Sequence, residues 1–239
     1  MTTGSQWHAK IQAAIDAFWG MRLYQANAIT NNVQGGTRNQ VLAAKHLDAI
    51  RALVIDGLTA INVPAHHIFH SGRGTRIPGY YRPSKNWDLA ATDPAGQLMV
   101  LLELKSMTGS YGNNQNNRFE EGLGNVTDVT AAINSRIIPS RPWLGYVFVT
   151  GDDSGSNAIP SVQPTFYPPD PAFAGATYLD RAQTFIERVV TSGLYDAGWY
   201  VATQPPPPRT PAAWREPSPG LTWSAFYSSL AQHVARYWP

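Results

Sequence analysis

Apolar residues Ile11, Ile15 and Phe18 recur at the helical repeat behind Ser5, a residue able to cap a helix, and the pattern fades near Gly20. After a Gly-Gly turn a second stripe, Ala43, Leu47, Ile50 and Val54, predicts a helix over about residues 39–55, with Gly57 as its stop signal. Short β-like runs follow at residues 60–63 and 67–69, then a loop punctuated by Gly72, Gly74 and Gly79. The centre of the chain changes period: residues 87–92 and 97–105 read as strands joined by Asp93-Pro94-Ala95-Gly96, an order that suits a type I turn. Asn117-Arg118-Phe119-Glu120 has capping-box spacing and predicts the start of a helix carrying Leu123, Val126, Val129 and Ile133, and residues 144–150 predict a buried strand. Strand, strand, helix and strand in this order imply an α/β class core, a mixed β-sheet flanked by helices.

Beyond the core, residues 158–172 are rich in Pro and aromatics and predict a long loop, and Pro205 to Pro208 a stiff connector. Thr177 and Asp180 resemble a capping pair ahead of an amphipathic helix with Ala182, Phe185 and Val189, and a last helix is expected over about residues 222–237. With 239 residues, 43% of them hydrophobic, the chain can enclose a core as one domain. Its catalytic core would span about residues 60–150, with a Pro-rich and helical extension over about 158–239. Lys and Arg number 18 against 16 Asp and Glu, a net charge of +2, so contact with a polyanion must come from a local cluster. The absence of cysteine excludes disulfides, thiolate zinc sites and cysteine nucleophiles, and fits a cytoplasmic protein. No apolar run approaches the roughly 18 residues of a spanning helix, and MTTGSQWHAK holds no signal-peptide core, so no membrane partner is expected.

The chemistry concentrates at Asp88, Glu103 and Lys105. Glu103 and Lys105 share one face of an otherwise apolar strand while Leu102 and Leu104 take the other. A carboxylate and an amine there are costly to bury unless paired or bound to something. Two registers of the turn are open. Pairing Asp93 with Gly96 sets Asp88 opposite Leu101, on the face of Glu103 and Lys105. A three-residue loop pairs Asp93 with Gln97 and turns Asp88 to the other face unless a further bulge intervenes. Two converging carboxylates would hold Mg²⁺, and Lys105 would act electrostatically on a phosphate or attacking water.

An acid followed by Glu-x-Lys resembles the PD-(D/E)xK nuclease superfamily, with Trp87 where Pro often stands. The longer stretch Asn86-Trp87-Asp88-Leu89, Glu103-Leu104-Lys105-Ser106 and Gly112-Asn113-Asn114-Gln115-Asn116-Asn117-Arg118-Phe119-Glu120-Glu121 resembles type II restriction enzymes of the XhoI family. Gly35-Gly36-Thr37-Arg38 and Lys45-His46-Leu47-Asp48 carry a weaker similarity. The resemblance implies a restriction-endonuclease-like fold and a homodimer that cuts both strands of CTCGAG, leaving 5′ overhangs and 5′ phosphates. It also implies a methyltransferase protecting host DNA.

On this reading Asp88, Glu103 and the Leu104 carbonyl are the candidate metal ligands, with Glu120 or Glu121 as an accessory acid. For Glu120 a capping role competes. Asn and Arg match adenine and guanine edges, so Asn113, Asn114, Asn116, Asn117 and Arg118 are candidate DNA contacts, competing with a plain Gly/Asn turn. Arg73, Arg76, Arg82, Lys85, Asn86 and Ser106 complete the DNA-binding candidates. Two other readings stay open: a repair or junction-resolving nuclease on the same core, and a noncatalytic DNA-binding module.

Overall fold

The computed structural model describes residues 4–30, 45–162 and 166–239, with the backbone alone for residues 26–30. The expected helix starts at residues 39–44 and the similarity at Gly35 to Arg38 lie outside the described residues. Helix α1 (Gly4–Thr30) buries Ile11, Ile15 and Phe18 as the spacing predicts, and Trp7 with them, but it continues ten residues past Gly20. One glycine in a helix interior costs only about 1 kcal/mol relative to alanine, too little to end a helix anchored on both sides. Helix α2 (Asp48–Ala60) follows a short 3₁₀ turn and carries Gly57 inside it, not as a stop. The glycine serves close packing, because a Cβ there would meet the Tyr227 ring at 3.2 Å. The chain turns away after Ala60 through Asn62, whose φ of 69° is left-handed, so residues 60–63 form a helix end and turn where a β-like run was expected.

Six strands form a mixed sheet. Three short strands, β1 (Ile68–Phe69) and the separately paired β2 (Arg76–Ile77) and β3 (Lys85–Asn86), lead into β4 (Leu89–Thr92) and the long β5 (Leu98–Met107). Helix α3 (Tyr111–Asn134) crosses to β6 (Trp143–Gly151), and α4 (Tyr178–Thr191) crosses to β7 (Ala197–Thr203). β8 (Trp214–Arg215) and α5 (Trp223–Val234) complete the described elements. The sheet order is β1-β4-β5-β6-β7-β8, parallel from β5 through β7 and antiparallel at both edges. Parallel neighbours need helical crossovers, and α3 and α4 supply them on one face.

The two faces of β5 to β7 divide the core. Val100, Leu102, Leu104, Val147, Val149, Trp199 and Val201 pack against α1, α2 and α5. Leu101, Leu144, Tyr146, Phe148 and Tyr200 pack against Val126 and Val129 of α3 and Leu179, Phe185 and Val189 of α4. Both faces of these strands are buried, which is why they read as continuous apolar runs. The stretch 158–239 does more than extend the core. Besides the α4 capping box, in which Thr177 and Asp180 satisfy each other's backbone N–H, it contributes two strands that sequence periodicity did not single out. Among the described residues, no helix is long and apolar enough to cross a membrane.

One expectation at the start of α3 is overturned. Asn117 to Glu120 do not open the helix but lie in its second and third turns, because it begins six residues earlier, at Tyr111. The chain makes a sharp corner at Gly109 (φ 153°) and Ser110 (φ 49°), and the Gly/Asn-rich segment continues as helix. Weak helix formers are tolerated there because Tyr111 and Gln115 are buried and anchor the first turn from inside.

Candidate active site

The hairpin adopts the three-residue loop and then reverses its effect. Asp93 N–H donates to the Gln97 carbonyl at 2.9 Å, and Gly96 sits at φ +77° as the bulged residue of the turn. Thr92 accordingly pairs with Leu98. A second irregularity then lets β5 gain one residue, so that Ala91 pairs with Val100 and Leu89 with Leu102. Each one-residue slip turns a strand to its other face, and two slips restore the first. Asp88, one residue before β4, thereby comes level with Glu103, and its N–H donates to the Leu102 carbonyl at 3.1 Å. Its Oδ2 accepts the Leu104 N–H at 2.7 Å. Asp88, Glu103 and Lys105 are brought together on the α3 side of the sheet.

Glu103 is 1% exposed, and only a dense set of partners makes that burial tolerable. Lys105 Nζ and Lys85 Nζ donate to its two oxygens, and Asn125 Nδ2 of α3 donates to Oε1 at 2.9 Å. Asp88 is held differently. Burial, followed by the neighbouring charge of Glu103, pushes its pKa up to about 6, against the pull of the Leu104 N–H and the two lysines. Burial opposes the charge on Lys105, but Glu103, by charge and hydrogen bond, and then Asp88 and Glu121 outweigh it and raise its pKa. The amine is therefore an ammonium in this setting, which suits electrostatic work and not that of a base.

The other sequence candidates separate into groups. Lys85 lies within the site, its ammonium 4.7 Å from the centre of the Trp87 ring. Arg73 and Arg76 are exposed, Arg76 facing the exposed Asn86 across β2 and β3. Arg82 is committed inward, to Asp128 Oδ2 at 2.7 Å and Asn125 Oδ1 at 2.9 Å, and is not a free surface cation. Ser106 points to the opposite face, where its hydroxyl meets His46 Nε2 at 2.7 Å. Side-chain alternation along β5 requires this and turns Ser106 away from the acids. Asn113, Asn116 and Asn117 are exposed on the first turns of α3, and Asn114 reaches back to the Gly109 carbonyl at 3.3 Å. Arg118 grips Glu121, and Glu121 lies 3.3 Å from Lys105. Glu120 is exposed and, among the described residues, forms no ion pair; a capping role is excluded by its place inside the helix.

Sequence reasoning missed two residues behind this site and one just past the end of β5. Asn125 and Asp128 are both 5% exposed on α3. Their signal was present: polar residues interrupting the stripe of Val126 and Val129 on the buried side of an amphipathic helix. Arg22 lay beyond the expected end of the first helix. Its Nε donates to Thr108 Oγ1 at 2.9 Å, and burial, together with the charge of Arg118, lowers its pKa.

The sequence model of the restriction endonuclease XhoI family matches residues 27–209. A type II restriction enzyme BstVI from Geobacillus stearothermophilus is 30% identical over 207 residues, covering 84% of this chain and 92% of the relative. The type II restriction enzyme XhoI from Xanthomonas vasicola is 34% identical over 183 residues, covering 74% of this chain and 73% of the relative. AbrI of Azospirillum brasilense, also a type II restriction enzyme, is 32% identical over 158 residues, covering 64% and 70%. No solved structure matches the chain. The match spans α2, the whole hairpin with its acids, α3, and the crossover to β7, and the chain belongs to the XhoI restriction endonuclease family, a family of site-specific deoxyribonucleases.

Proposed function

We propose that this protein is a Mg²⁺-dependent restriction endonuclease that cuts both strands of CTCGAG as a homodimer, leaving 5′ overhangs and 5′ phosphates. Asp88, Glu103 and Lys105 would be its catalytic residues. The observation that carries the reading is the level placement of Asp88 and Glu103 with Lys105 on the same face, in a chain 34% identical to an enzyme named XhoI.

The donor set fits a hard divalent cation. Asp88 Oδ1 has no hydrogen-bond partner among the described residues, and Glu103 already draws two ammonium groups to its oxygens. The N–H and C=O of one strand residue point the same way, so the Leu104 carbonyl would face the same gap as its N–H. Among the described residues no three His, Asp or Glu gather as a cage, which suits Mg²⁺, an ion that keeps several waters of its own. When bound, the cation would supply positive charge to the phosphoryl oxygens and to the water that attacks. Lys105 would hold its ammonium at the scissile phosphate and stabilise charge developing there. Glu121, 3.3 Å from Lys105, would orient that ammonium or serve as an accessory acid.

Specific reading falls to α3. Asn113 and Asn117, one helical turn apart, share an exposed stripe beside Asn116, and amides so displayed suit the adenine edge in the major groove. Arg73, Arg76 and Lys85 would meet phosphates. A palindrome offers two equivalent bonds on opposite strands, which two copies related by a twofold axis would reach together. The whole chain would work as one nuclease domain in the cytoplasm, beside a methyltransferase that blocks the site in host DNA.

Incubation of unmethylated plasmid bearing CTCGAG with Mg²⁺, followed by sequencing of the ends, tests this. Discrete fragments with 5′ extensions at that site support it. Cuts elsewhere remove the assigned sequence, and nicking confined to branched DNA would replace restriction by junction resolution.

A further inference from the structure

The turn preceding Arg82 is fastened more firmly than a surface turn requires. The backbone N–H groups of Tyr80 and Tyr81 both donate to Asp128 Oδ1, at 2.9 and 2.7 Å, while Arg82 Nε holds Oδ2 at 2.7 Å. Burial works against the Asp128 charge, yet Arg82 and the two N–H groups together hold its carboxyl below the usual range. Gly79 permits the approach, because a Cβ there would lie 2.1 Å from Asp128 Oδ2. What this anchored turn displays is a pair of tyrosines packed edge to face, 52% and 72% exposed.

Rigid display of two large amphipathic rings in water gains nothing for the isolated protein and suits a contact surface. In the surrounding stretch, residues 70–86, Arg82 and Lys85 are taken up by Asp128 and Glu103, but Arg73 and Arg76 are exposed and the stretch carries no carboxylate, so a polyanionic partner is favoured. Inward, the same anchor reaches the acids. Arg82 Nη2 donates to Asn125 Oδ1 and Asn125 Nδ2 donates to Glu103 Oε1, each at 2.9 Å. A guanidinium has only donors, so Arg82 fixes which end of the Asn125 amide faces Glu103.

We propose that the Tyr80–Tyr81 turn is a contact element for duplex DNA, and that its seating is transmitted through Arg82 and Asn125 to the orientation of the Glu103 carboxylate. The inference rests on Glu103 being catalytic, as proposed above. Arg82 and Asn125 are positioning residues: they act on Glu103 and need not touch the scissile phosphate.

The test uses the full chain and a duplex that the wild-type protein cuts. Affinity is read with Ca²⁺ replacing Mg²⁺, and single-turnover cleavage is followed at saturating protein across a Mg²⁺ titration. Replacing both tyrosines by serine (Tyr80→Ser with Tyr81→Ser) leaves the fold intact because both are exposed. It should weaken duplex binding about tenfold and also lower the saturated cleavage rate. Asn125→Asp keeps the shape and the acceptor for Arg82 but sets a carboxylate against Glu103. It should slow cleavage about tenfold or more and raise the Mg²⁺ needed for half-maximal rate, with duplex affinity unchanged. A purely structural Asn125 would shift melting without shifting the Mg²⁺ requirement.

Tyrosine variants that bind as wild type overturn the contact element, and weakened binding with an unchanged saturated rate overturns the coupling. If Asn125→Asp does not fold, the tyrosine pair still decides. Glu103→Gln separates the two levels of inference. Should it cut normally, the role of Glu103 falls and this proposal with it; should it be inactive while Asn125→Asp cuts like wild type, this proposal alone is overturned.

Discussion

Asp88 accepts the backbone N–H of Leu104 through Oδ2 at 2.7 Å, a bond that crosses the open end of the hairpin and sets the first acid beside the second. It exists only because two irregularities cancel, one at Gly96 and one where β5 gains a residue opposite the step from Ala91 to Thr92. The arrangement of the site, and not the presence of its residues alone, makes the following outcomes specific.

Lys105→Ala should lower single-turnover cleavage about a hundredfold or more, with duplex affinity in Ca²⁺ nearly unchanged. A donor aimed at charge that develops during the reaction contributes mainly to the rate. Cleavage near the wild-type rate would remove Lys105 from the chemistry.

As a metal ligand, Asp88 would tie cation binding to pH. With its pKa pushed up to about 6 by burial and Glu103, Asp88 is largely protonated below that value, so the Mg²⁺ needed for half-maximal cleavage should rise as pH falls through 6. Stability of the metal-free protein runs the other way. A carboxyl whose folded pKa exceeds its unfolded value contributes stability fully below the unfolded pKa and loses it as pH rises through the folded one. Asp88→Asn should therefore raise the melting temperature of metal-free protein at pH 8 more than at pH 5 while abolishing cleavage.

Gly79→Ala should destabilise the protein by about 1 to 3 kcal/mol, because overpacking against a buried hydrogen-bonded group forces the turn away. The carboxylate it would meet, Asp128, holds Tyr80, Tyr81 and Arg82 at once. Denaturant unfolding measures the loss; a midpoint equal to the wild type would show that the turn relocates freely.

Asn117→Ala and Asn113→Ala should each relax sequence choice more than they weaken general DNA binding. A lost bidentate base contact costs about 1 to 3 kcal/mol of discrimination at one position. Cleavage of a library of single-base variants of the site would reveal which position each residue reads, and unchanged preference in both would shift reading to another element.

The sequence by itself determined much of this protein. Strand alternation put Glu103 and Lys105 on one face, apolar runs marked β5 and β6 as doubly covered strands, and Thr177 with Asp180 fixed where α4 begins. These features are local, set by backbone period and by hydrogen bonds a few residues apart. Tertiary structure decided the rest. The face on which Asp88 falls depended on a second bulge with no turn residue to announce it. α1 passed Gly20 and α3 began at Tyr111 because packing outweighed propensities of a kcal/mol or less per residue. The inward commitment of Arg82 and the roles of Asn125 and Asp128 were equally out of reach. A buried polar group declares its partner only when an element 43 to 48 residues away in sequence is folded against it.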